Sequence, residues 1–183
     1  MDVVFRRLNQ RQYGIGLIRS GKRDVGGDVA VRVAPGDAGV PHDLVHFVVE
    51  EQAWLPLGIF GQCAAGGEVG GFFRDAVGKR GNAERARRSR RLSGAGRADV
   101  GRSEQLAGLA HTGSIPNDVN PELVAPALRE SINRRLAEIL AQWADVSVGG
   151  DLVLPWPDGL TIKRGQVSAS KRVTNSPVHS ARY

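Results

Sequence analysis

Two imidazoles one helical turn apart carry the most suggestive chemistry of the chain: His42 and His46 in GVPHDLVHFVVEE, with the carboxylate of Asp43 beside the first. On a helix, side chains four positions apart share a face, so two neutral ring nitrogens at this spacing can converge on one divalent cation. The adjacent acid could orient or activate a water on that cation. A plainer arrangement fits the same residues. Pro41 suits a first helical position, Asp43 complements the free amides of the first turn, and His42, His46 and Glu50 line the polar stripe of an otherwise apolar helix over 41–53. Glu50 cannot join the two histidines on one ion, because eight residues along a helix span about 12 Å and zinc ligands sit about 2 Å from the metal. A third ligand must come from elsewhere, with Glu68, Asp75 and His111 as the candidates.

His42-Asp43-Leu44-Val45-His46 resembles the H-E-x-x-H motif of zincin-type metallohydrolases, with Asp in place of Glu. The resemblance covers five residues of 183. It implies zinc or another divalent metal held by His42 and His46, with Asp43 as the acid that polarises metal-bound water. Asp is a methylene shorter than Glu, so metal binding tolerates the change better than peptide hydrolysis does. The family's longer extension with a glycine and a third histidine is absent, since FVVEE follows His46.

The formal net charge of +6 is unevenly placed. Residues 79–102 hold nine basic and two acidic groups and residues 163–183 hold five and none, which leaves the remainder mildly acidic. Such a distribution describes a folded body with two basic arms rather than a uniformly basic nucleic-acid-binding domain. The arginines at 87, 88, 90 and 91 are the candidates for contact with nucleic acid or an acidic protein. No aromatic residue accompanies them, so no sequence-reading motif is indicated. The single cysteine, Cys63, lies among alanines and glycines as a packing residue and excludes an internal disulfide. No apolar run approaches the ~20 residues of a membrane helix, and the opening residues lack a signal-like pattern, so a cytoplasmic protein with no membrane partner is expected.

Three short apolar runs, 3–8, 12–19 and 28–34, predict strands joined by tight connections, hence an antiparallel sheet. In the third, Val29, Val31 and Val33 alternate onto one face, while Gly14 and Gly16 share the outer face of the second. The apolar spacing from Val124 to Trp143 predicts a long helix over 121–144, capped by Asn120 and opened by Pro121. Ser103 is expected to cap a short helix over 103–111, and DLVLPWP to form a late edge strand. The expected fold is α+β: one domain over 1–162, a three-stranded N-terminal sheet packed by two main helices with a late short strand, a basic loop or partly exposed helix at 79–102 and a disordered tail at 163–183. Two functions remain open at this point, a metal-binding or hydrolase-like protein and a non-enzymatic adaptor using its arginine-rich arm.

Overall fold

The computed structural model describes residues 1–19, 21, 26–69 and 79–162, with side chains of the last stretch from 83 onward. The expected tail at 163–183 and the candidate ligand Asp75 lie outside the described residues. The fold is α+β. Strands β1 (Asp2–Arg7), β2 (Tyr13–Ile18), β3 (Val29–Val33) and the late β4 (Asp151–Pro155) form one antiparallel sheet in the order β3-β2-β1-β4. Helices α1 (His42–Gln52), α2 (Ile59–Ala64), α3 (Lys79–Ala95), α4 (Arg97–Leu109) and α5 (Pro126–Ala144) complete the described elements, with a short 3-10 turn at Asp158–Leu160.

Alternation decides which face of the sheet is buried. Val3 and Phe5 of β1, Tyr13, Ile15 and Leu17 of β2, and Leu152 and Leu154 of β4 all turn into the core. Their register keeps like with like, Phe5 opposite both Ile15 and Leu152, and Val3 opposite Leu17 and Leu154. The expected alternation fails in β3, where the pairing slips between Ile15 and Leu17. This irregularity places Val31 over the outer-face glycines, so that a Cβ on Gly14 would come within 2.7 Å of the Val31 side chain. The glycines thus admit a neighbouring strand's side chain.

α1 is the central helix. Every residue from Leu44 through Glu50 is buried, because α1 meets α2, α4 and α5 as well as the core below the sheet. Phe47 anchors it, with ring centroids 5.5 Å from both Phe60 of α2 and Trp156 just past β4. At its end, Trp54 adopts a left-handed φ of 56° while the Leu55 amide donates to the Glu50 carbonyl, a helix stop that usually employs glycine.

One helix differs from expectation and another settles an open one, each for local reasons. The long helix begins at Pro126 rather than Pro121, since proline disfavours helical backbone in the residue before it, and Ala125 accordingly has ψ 139°. Residues 120–124 make a turn instead, with the Asn120 carbonyl accepting from the Leu123 and Val124 amides. The stretch expected as a basic loop or partly exposed helix at 79–102 is helical, divided between α3 and α4 at Gly96. Arginine and alanine favour helix, and the buried Leu92 supplies the anchor. Among the described residues no helix is long and apolar enough to cross a membrane.

Phe47→Ala should therefore lower the unfolding free energy by about 3–5 kcal/mol. Urea titration followed by tryptophan fluorescence measures this directly, and a loss below about 1 kcal/mol would contradict the central position of α1.

Candidate metal centre

His42 and His46 face each other at the start of α1. Their Nε2 atoms are 3.0 Å apart and their rings stand nearly perpendicular, at 89°. His42 is exposed, whereas His46 is only 2% exposed because α4 crosses above it. The polar stripe expected to be wet is thus largely covered.

The residue that covers it is Ser103, which lies inside α4 rather than capping it. Its hydroxyl donates to Glu50 Oε1 at 2.8 Å and stands 2.8 Å from His46 Nδ1. A hydroxyl has one proton. When Glu50 is ionised that proton is directed at its carboxylate, so Ser103 Oγ accepts from His46 and the Nδ1–H tautomer is favoured. The Nε2 lone pair is left pointing toward His42, in the orientation a metal ligand requires. Burial, with a smaller contribution from His42, pushes the His46 pKa down to about 4, so the ring is neutral at neutral pH.

Glu50 anchors this chain from the far side. Its two carboxylate oxygens accept from the amides of Ile59 and Phe60 at 2.7 and 2.9 Å, capping the start of α2. A Cβ on Gly58 would overlap this carboxylate, so glycine is required there by close approach. Burial raises the Glu50 pKa to about 7 against the lowering effect of these hydrogen bonds. Asp99, in the first turn of α4, accepts from the Leu57 amide at 2.8 Å and holds the same α1–α2 connection from the other side.

Glu104, adjacent to Ser103, brings its carboxylate to 3.7 Å from His46 Nε2. His42, His46 and Glu104 each offer one ligand atom, all within 4.8 Å of one another. The Glu104 side chain is 59% exposed and free to close further. Two bonds of about 2.0–2.1 Å to a shared zinc would keep the histidine nitrogens close to their present separation.

The other residues singled out from sequence lie apart from this group. Asp43 turns to β2, where its Oδ2 is 2.7 Å from the Tyr13 hydroxyl, and burial raises its pKa despite that bond. The Glu68 amide donates to Ser89 Oγ, and the Glu68 carboxylate is 3.7 Å from Arg85. His111 sits exposed beyond the end of α4, its Nδ1 2.8 Å from the Gly108 carbonyl. Cys63 is fully buried, which raises its pKa and suits packing rather than nucleophilic chemistry. Ser103 stands out in the sequence only as a helix cap and Glu104 not at all, because their partners lie more than fifty residues away. The nearest signal is SEQLAGLA itself, whose only small polar residue on the apolar face is Ser103.

Comparison with protein-family models, with curated proteins and with solved structures gives no match.

His46 and Glu50 impose opposite pH dependences on stability. Unfolded histidine titrates near 6.5 and folded His46 near 4, so the unfolded chain binds more protons between these values and stability is lost as pH falls from 6.5 toward 4. Glu50 stays protonated in the fold up to about 7 but ionises near 4.5 when unfolded, so its effect is to lower stability as pH rises from 4.5 to 7. The two should nearly cancel in the wild type. Glu50→Gln should uncover the histidine slope, a gain on the order of 2 kcal/mol from pH 4.5 to 6.5 in urea unfolding. A variant whose stability stays flat across that range would contradict the burial of a neutral His46.

Proposed function

We propose that the protein binds a divalent metal of the zinc type through His42 Nε2, His46 Nε2 and Glu104, at a surface site that leaves a fourth position open. The observation that supports this reading is the Glu50–Ser103–His46 chain of hydrogen bonds, which with Glu50 ionised favours the tautomer of a buried histidine whose Nε2 lone pair faces two further ligand groups. A carboxylate behind a ligating histidine orients the ring and raises its basicity, and here the serine hydroxyl transmits that effect. Three protein ligands and one open position are the arrangement of hydrolytic rather than structural zinc sites. When bound, such an ion lowers the pKa of its water and polarises a carbonyl or phosphoryl oxygen.

A zincin-type peptidase is the less favoured form of this reading. The acid that such a mechanism needs beside the metal-bound water would be Asp43, and Asp43 is instead hydrogen-bonded to Tyr13. The reading is therefore a metal-binding, hydrolase-like site in which Asp43 braces α1 against β2. A cytoplasmic setting belongs to the same proposal, supported by the one free and buried cysteine.

Purified protein freed of metal should take up one zinc or cobalt ion by calorimetry, and cobalt should give the visible absorption of a four-coordinate site. His42→Ala should abolish stoichiometric uptake, Asp43→Asn should leave it in place, and Ser103→Ala should weaken it about 10–100-fold through the unfixed ring. Uptake indifferent to His42→Ala would refute the assignment.

A further inference from the structure

The outer surface of α3 and the start of α4 carries a charge that the metal site does not use. Arg87, Arg90 and Arg91 are exposed and, at spacings of three and four, share one face of α3. Arg97, also exposed, opens α4 directly after the break at Gly96. Among the described residues, none of these four has a carboxylate partner. The neighbouring arginines behave differently: Arg88 lies 3.5 Å from Glu84 and Arg85 lies 3.7 Å from Glu68, and their side chains are only 18% and 15% exposed. Of the four arginines singled out from sequence, Arg88 is thus committed to the helix's own surface.

We propose that Arg87, Arg90, Arg91 and Arg97 form a docking surface for the phosphate backbone of double-stranded nucleic acid. Three observations favour this partner over an acidic protein or a single strand. The described exposed large apolar side chains, Ile18, Val33, Trp54, Leu123, Val148 and Val153, all lie off α3 and α4, whereas protein interfaces depend on buried aromatic or aliphatic anchors. The surface also lacks the aromatic platforms on which single-stranded bases stack. Finally, a Cβ on Gly94 or Gly101 would meet nothing within 4 Å, so the surface beside the arginines is low and open. A duplex backbone, the densest array of phosphates, can approach such a surface closely and without reading sequence.

The test is fluorescence anisotropy with the full chain and a labelled mixed-sequence DNA duplex of about 20 base pairs, across a range of potassium chloride and with EDTA present. EDTA separates this proposal from the metal reading, since binding here needs no ion and its failure leaves metal uptake untouched. The wild type should bind with an affinity that falls steeply with salt. Replacing the four arginines together by alanine should weaken binding at low salt by about 100-fold and make the salt slope shallower by about 3.6. Replacement of the same four by lysine should keep most of the affinity and the slope, since a point charge still neutralises a phosphate. Far-UV circular dichroism confirms that the exposed substitutions leave the helices intact. An unchanged slope in the alanine variant overturns the proposal, as does a polyglutamate peptide binding as tightly as the duplex, which would make the surface a general acidic-partner site.

Discussion

A single buried carboxylate holds together the helices that build the site. Glu50 is fully excluded from solvent, and an ionised group in that position is strongly unfavourable unless hydrogen bonds replace its water. Its three donors come from two different elements: the Ile59 and Phe60 amides at the start of α2 and the Ser103 hydroxyl of α4. Satisfying that one group fixes where α2 begins, how closely Gly58 approaches α1, and which turn of α4 lies over His46. With Glu50 ionised, the Nδ1–H tautomer of His46 and the direction of its Nε2 lone pair follow from the same constraint. Asp99 and Leu57 make the reciprocal bond, so the α1–α2 connection is gripped by both neighbouring helices.

Features governed by nearest neighbours and by alternation were legible in the sequence. The inward face of β2, the span of α1 and the edge position of β4 follow from periodicity and flanking prolines, and the structure agrees with them. Elements governed by a local exception were not. Periodicity could not foresee the slip in β3, which turns Val31 onto the outer-face glycines. The start of α5 was misplaced by five residues because a plausible cap at Asn120 hid the stronger effect of Pro126 on Ala125.

The site was legible only in part, and for a specific reason. His42 and His46 are neighbours along one helix, so their convergence could be inferred from spacing alone. Glu104 and Ser103 reach them from a helix more than fifty residues later, and no local pattern marks them for the site. Glu50 was rightly separated from the histidine pair by axial distance, yet its role as the cap of α2 depends on a chain reversal at Pro56 that composition suggests but does not orient. The arginine-rich segment stood open between a loop and a partly exposed helix, because low hydrophobicity leaves little to bury; one buried leucine and good helix formers suffice to order it as helix.

β4 has a bearing on how the molecule is made. Its partner β1 is the first strand of the sheet in sequence, and the Arg6–Asp151 pair that fastens them joins positions 145 apart. Until Asp151–Pro155 emerges from the ribosome, one edge of β1 has no strand beside it and Trp156 is missing from the ring cluster that seats Phe47. The histidine-bearing face of α1 is encoded in the first third of the chain, yet the ring that Trp156 lays against Phe47 arrives only with nearly the last described residues. Contacts so distant in sequence slow folding, and during that interval an unpaired apolar strand edge is exposed to other nascent chains.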